Sequence, residues 1–115
     1  MTSPYVPDQG DIVWLDFNPQ SGHEQAGTRP ALVLSPKPYN SKVGLMLCCP
    51  ITGQQKGYPF EVELKGTHGI TGVVLADQLK SLDWKARKAE YKGRVSSTVL
   101  NDVLAKIHAL LKHQP

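Results

Sequence analysis

Apolar residues along this chain come in short runs as far as residue 95 and then change period. After Gly10, the run Ile12-Val13-Trp14-Leu15 reads as a strand over residues 11–17, closed by Asn18-Pro19. Residues 21–28, Ser-Gly-His-Glu-Gln-Ala-Gly-Thr, are polar and glycine-flanked with no period of either kind, which predicts a mobile loop. Residues 31–35 are an apolar run that predicts a buried strand, stopped by Pro36 and Pro38. A third strand is expected over 44–52. Over 58–64, Phe60, Val62 and Leu64 alternate with Glu61 and Glu63, the pattern of a half-buried strand. A glycine-containing loop over 65–72 leads to a strand at 73–78, and 87–95 supplies one more short strand. Strands this short, separated by turn signals, predict a small antiparallel barrel or sandwich. Then Val99, Leu100, Val103, Leu104, Ile107, Leu110 and Leu111 recur at helical spacing behind Ser96 or Ser97 as N-cap. One amphipathic C-terminal helix is expected to pack on the sheet, with Gln114 and Pro115 frayed.

The length of 115 residues fits a single domain, residues 1–115, and excludes two independent cores of ordinary size. A domain of this size buries roughly 60 to 70% of its unfolded surface, so little room is left for a large internal cavity. Function is therefore expected on a surface groove or an oligomer interface. Residues 1–7 hold no basic cluster leading into an apolar run, and the apolar stretches are strand-sized, so neither a signal peptide nor a membrane span is expected. Cys48 and Cys49 are adjacent and point to opposite faces of any strand, which rules out an ordinary disulfide or a CxxC half-site. The expected home is a reducing cytoplasm.

Net charge is +3, unevenly placed. Residues 1–36 carry Asp8, Asp11, Asp16 and Glu24 against Arg29, a net of −3, whereas residues 80–94 carry Lys80, Lys85, Arg87, Lys88, Lys92 and Arg94 against Asp83 and Glu90, a net of +4. A basic segment of this kind suits a polyanion or an acidic partner, and equally a solvated lysine face.

Metal chemistry finds no support in the spacing. His23, His68, His108 and His113 are scattered, and none has a second ligand at the separation zinc sites use. Nucleophile-elbow, P-loop and dinucleotide motifs are also missing. The loop Glu24-Gln25-Ala26-Gly27-Thr28-Arg29-Pro30 instead delivers a guanidinium at the mouth of an apolar strand. Arginine is costly to bury unpaired, so it points into a groove or pairs with a carboxylate. Thr52 ends the third strand just before a glycine-containing turn, where an ordinary strand-end threonine is the plain alternative.

Five ordered blocks carry a resemblance. Gly10-Asp11-Ile12-Val13-Trp14, the Glu24 to Ser35 stretch, Pro50-Ile51-Thr52, Lys56-Gly57-Tyr58-Pro59-Phe60-Glu61-Val62, and Leu75-Ala76-Asp77-Gln78-Leu79-Lys80-Ser81 together resemble the MazF/PemK toxins of bacterial type II toxin-antitoxin pairs. The resemblance spans residues 5–112 and implies an SH3-like barrel with a C-terminal helix. It further implies a homodimer and a sequence-specific endoribonuclease, without cofactor or metal, acting on single-stranded mRNA at short, ACA-like sites.

By the same resemblance, catalytic roles fall on Arg29 and Thr52, and Glu24 lies on the active-site loop. This chain has Leu75 where some relatives carry an arginine, and Gly53 where close relatives often carry a second hydroxyl residue. Glu24 is either a base or only a partner for Arg29, and His23 beside it is better explained as a solvated loop residue. Gln25, Asp77 and Gln78 are candidates for contacting RNA. Trp14 and Phe17 are candidates for base stacking, with core burial the stronger expectation for Trp14. Trp84, set among Lys80, Lys85 and Arg87, fits a groove for an acidic MazE-like antitoxin better than a core. Two other classes compete: a non-enzymatic gyrase poison like CcdB, which needs a C-terminal aromatic tail that Leu111-Lys112-His113-Gln114-Pro115 does not supply, and an inert SH3-like binding module.

Overall fold

β2 (Thr28–Val33) is the strand around which the molecule is built. In the computed structural model, which describes residues 5–18, 22, 27–65 and 69–112, its side chains alternate between two cores. Ala31 and Val33 join Val13, Leu15, Phe17, Met46, Cys48 and Trp84 on one face of the sheet. Leu32 and Leu34 join Ile12, Cys49, Ile51 and Val74 on the other, beneath the helix residues Val99, Val103 and Ile107. A strand buried on both faces must be apolar at consecutive positions, which is why this run shows no alternation. Cys48 and Cys49 fall on opposite faces, as adjacent strand residues should, and both are free thiols.

The remaining strands are β1 (Asp11–Asp16), β3 (Met46–Thr52), β4 (Glu61–Glu63), β5 (Val73–Leu75), β6 (Lys80–Leu82) and β7 (Glu90–Arg94). Their order in the sheet is β4-β5-β3-β2-β1-β7, with β6 pairing β3, and every pairing is antiparallel. The expected class, mainly antiparallel β with a C-terminal helix, holds. Among the described residues the ladder is an open path from β4 to β7 and not a closed ring. Helix α2 (Ser97–Leu111) starts at the predicted cap, where the Ser96 hydroxyl accepts the Val99 N–H at 3.2 Å. Its last turn carries Leu110 and Leu111 beyond the sheet into solvent.

Two elements lie outside the sequence reading. The short helix α1 (Lys37–Val43) begins right after Pro36, because a proline in the first helical turn gives up an N–H that has no intrahelical partner anyway. Gly44 closes it at φ 82°, a left-handed conformation natural to glycine. The other is β6, three residues long. Thr28 belongs to β2 and not to the preceding loop, whose residues 19–21 and 23–26 lie outside the described residues, as do the termini expected to fray.

Three aromatic expectations change. Trp14 is not a core residue: with Val13 and Leu15 turned inward, it takes the opposite face of β1 and is 39% exposed. Phe17 follows the inward parity and is 2% exposed, so its ring has no free face for a base. Trp84 is 7% exposed, packs in the core with Met46 and Cys48, and donates its indole N–H to the Asn40 carbonyl at 2.9 Å. Its charged sequence neighbours are no guide, because the turn before β7 aims the indole inward while Lys85 points out.

Candidate functional site

The end of β3 opens on a groove. Antiparallel pairing runs Val33 to Cys48, Leu32 to Cys49 and Ala31 to Pro50. The ladder between β2 and β3 ends at Ala31 and Pro50; beyond it Arg29 lies opposite Leu15 of β1, while β3 turns to β5. Thr52 itself is buried and pairs with Val73. Its hydroxyl oxygen accepts the Gln54 N–H at 3.2 Å. The chain behind it must be bare: a Cβ at Gly72, which has φ +124°, would lie 2.4 Å from the Thr52 carbonyl oxygen.

In front of Thr52 lies a groove of about 580 Å³. It is lined by Thr52 and Leu75, by residues of the turn between Gln54 and Pro59, and by Asp77 and Gln78. The turn is held by a single side chain. The Glu61 carboxylate accepts the backbone N–H groups of Lys56, Gly57 and Tyr58 at 3.0 to 3.2 Å, the way a carboxylate caps a helix start. Within the lining the Tyr58 hydroxyl donates to Asp77 Oδ2 at 2.7 Å. That bond, together with the Asp77 charge, pushes the Tyr58 phenol above its ordinary pKa, so the phenol stays protonated and able to donate.

Arg29 is half-buried in β2 and is not among the residues that line this groove. Phe17 N–H donates to the Gly27 carbonyl at 3.0 Å, and Gly27 N–H donates to Asn18 Oδ1 at 3.1 Å. These bonds close the stem of the loop that carries Glu24 and Gln25, two candidates that lie outside the described residues together with His23. Arg87 braces the same stem, donating from Nη1 to the carbonyls of Asp16 (2.9 Å) and Asn18 (2.8 Å).

The sequence candidates therefore divide. Thr52, Asp77 and Gln78 meet in the groove, whereas Arg29, in β2, is not among the residues that line it. Trp14 lies on another surface, a depression of about 290 Å³ lined by Trp14, Pro30, Ile70 and Lys92. Lys80 is half-buried in β6 and Lys85 is exposed in the following turn, but the buried Trp84 between them is no part of an accessible surface. Gln54, Lys56, Tyr58 and Glu61 were not singled out from sequence. The Lys56 to Val62 block contains Lys56, Tyr58 and Glu61 but not Gln54, and nothing in it reveals that Glu61 folds back on the turn. Among the described residues, no group of three or more His, Cys, Asp or Glu could hold a metal ion, and no helix is long and apolar enough to cross a membrane.

A small open antiparallel sheet with one covering helix, and a polar groove at the end of its central strands, defines the class. Residues 8–111 match the family of PemK-like, MazF-like toxins of type II toxin-antitoxin systems, and the chain belongs to that family. It is 56% identical over 111 residues to the endoribonuclease toxin MazF of Escherichia coli strain K12, covering 96% of this chain and 99% of that protein. The crystal structure of MazF from Deinococcus radiodurans superposes with a TM-score of 0.92 at 55% identity, covering 96% of this chain and all of that one. A MazE-MazF crystal structure from the same organism matches with a TM-score of 0.84 at 49% identity and the same coverage.

Proposed function

We propose that this protein is the endoribonuclease toxin of a toxin-antitoxin pair, cleaving single-stranded mRNA at short ACA-like sites without a metal ion. The observation that carries the reading is a polar groove lined by Thr52, Asp77 and Gln78, in a chain 56% identical to an endoribonuclease toxin. RNA brings its own nucleophile. The 2′-hydroxyl attacks the adjacent phosphorus, a P–O2′ bond forms as the P–O5′ bond breaks, and the products are a 2′,3′-cyclic phosphate and a 5′-hydroxyl. The protein must take the 2′ proton, stabilise the charge on the phosphoryl oxygens and protonate the departing 5′ oxygen.

Arg29 grips two phosphoryl oxygens at once, as a planar guanidinium can and an ammonium cannot. Thr52 donates its hydroxyl to a phosphoryl oxygen. Glu24 serves as base or as the partner of Arg29. Asp77, Gln78 and Gln25 contact bases along the groove, and Trp14 offers an exposed ring to a flanking nucleotide.

The toxin works in the cytoplasm as a homodimer, since one small sheet offers too little concavity for several nucleotides and two copies line a groove from both sides. An acidic MazE-like antitoxin segment lies over Lys80, Lys85 and Arg87, and its association slows as salt rises. Incubating a defined single-stranded RNA with the protein in EDTA and mapping the new 5′ ends tests the reaction. Discrete cuts with 5′-hydroxyl ends are expected, and activity that EDTA abolishes and magnesium restores would overturn the metal-free mechanism.

A further inference from the structure

The Tyr58 to Asp77 bond joins two segments of the groove lining that lie 19 residues apart in the chain, and both residues are exposed. An exposed tyrosine gains little from one hydrogen bond to a flexible carboxylate unless its own backbone is already fixed, because ordering both side chains opposes the gain. Here it is fixed. Glu61 holds three successive N–H groups of the turn, including that of Tyr58 itself, and the Tyr58 ring leans on Phe60 with centroids 5.8 Å apart. The phenol is thus presented at a set place, and Asp77 is the group that adjusts. On its own side Asp77 sits in a tight turn closed by Gln78 N–H donating to the Leu75 carbonyl at 3.1 Å.

A carboxylate in a nucleic-acid groove accepts hydrogen bonds and repels acceptors. It favours a base that presents an exocyclic amino group, as cytosine and adenine do, over uracil, which presents a carbonyl oxygen at the corresponding place. An unrestrained aspartate turns to suit any donor and discriminates weakly. With Oδ2 taken by Tyr58, the remaining oxygen is held in one orientation. We infer that Tyr58 is a positioning residue for substrate choice, fixing the Asp77 carboxylate so that it reads an amino group on one base of the RNA. This rests on the endoribonuclease reading and adds a specificity device to it. Protonation of the phenol across the neutral range keeps that device set wherever the enzyme works.

The test uses an RNA pool with a randomised cleavage site and four full-length proteins: wild type, Tyr58→Phe, Asp77→Asn and the double variant. Sites are mapped by their new 5′ ends. Tyr58→Phe is expected to lower the preference for an amino base over uracil about 10-fold at a single nucleotide position, with the loss carried more by KM than by kcat. Asp77→Asn should relax the same position, and the double variant should be no more relaxed than Asp77→Asn alone, because Tyr58 acts through Asp77. Binding of matched 2′-deoxy oligonucleotides, which lack the nucleophile, reads the same discrimination as a ratio of Kd values even where a variant cuts poorly. Wild-type protein that cuts no RNA in the pool would overturn the endoribonuclease reading and this inference with it. Wild-type cleavage with an unchanged Tyr58→Phe profile, or losses at two different positions that multiply in the double variant, would overturn the positioning role alone.

Discussion

At the Met46 end of β3 the polar groups close on one another, and at the Thr52 end they open on a groove. The closed end is organised by Asn40, which is 0% exposed. Its amide donates to the carbonyls of Pro7 (2.8 Å) and Ser35 (2.9 Å), its Oδ1 accepts the Ser35 hydroxyl at 2.5 Å, and its carbonyl accepts the Trp84 indole. Ser35 Oγ in turn accepts the Leu47 N–H at 2.8 Å. This one buried residue of helix α1 thereby joins the N-terminal segment and the end of β2 through its side chain and the turn before β7 through its main-chain carbonyl. At the other end, Thr52, Tyr58 and Asp77 line an open groove, and the bonds there are braces around an accessible space. A polar residue in a sheet protein contributes to stability or to chemistry according to whether its neighbours leave room for anything else.

Four substitutions or conditions separate the two ends. Arg29→Ala should lower the single-turnover cleavage rate by about 10² to 10³, with Arg29→Lys recovering little of it and the urea midpoint nearly unchanged. Asn40→Ala should do the reverse. Stripping the partners of Pro7, Ser35 and the Ser35 hydroxyl in a dry site costs about 3 kcal/mol, read from urea unfolding, while cleavage per folded molecule stays at the wild-type rate. Gly72→Ala sits between the two classes. The new Cβ has to push the Thr52 carbonyl away, so a loss of about 2 kcal/mol in stability should come with a measurable fall in cleavage, because Thr52 moves with it.

The smallest effect concerns the thiols. Burial pushes Cys48 up to about 12, and burial raises Cys49 as well. Both stay protonated in the native state, so iodoacetamide at pH 8 should label neither until urea is added. A raised native pKa means the folded protein holds these protons more tightly than the unfolded chain. Their contribution is therefore whole below the ordinary thiol value of 9.0 and is lost as pH climbs toward 12, which urea midpoints between pH 8 and 11 would record.

The two ends also differ in how well the sequence announces them. β1, β2, β3 and α2 are legible because their apolar residues keep a period, and Ser96 marks the helix start. The Asn40 hub is illegible. An asparagine in a short helix behind two prolines carries no signal that it will be buried, and two of its three partner residues in the hub, Pro7 and Trp84, lie 33 and 44 positions away in the chain. Trp84 was misjudged for the same reason: its sequence neighbours are charged, while its spatial neighbour is the Asn40 carbonyl. Trp14 failed in the opposite way, since a run of four apolar residues does not say which one the sheet leaves uncovered. At the groove, the pairing of Arg29 with Thr52 comes from the family resemblance alone, since the ladder between β2 and β3 ends at Ala31 and Pro50. Tyr58 and Glu61 needed the fold, because a carboxylate that holds three backbone N–H groups looks in sequence like any alternating strand residue.

The central claim, that Arg29 and Thr52 act on one phosphoryl group, is tested most directly by a double-mutant cycle on the single-turnover cleavage rate at saturating RNA. Arg29→Ala, Thr52→Val and the double variant are compared with wild type in EDTA. Groups that hold the same phosphate are grossly non-additive, so the double variant should lose far less than the product of the two single losses. Single losses that multiply in the double variant, or a Thr52→Val enzyme as fast as wild type, would contradict the account.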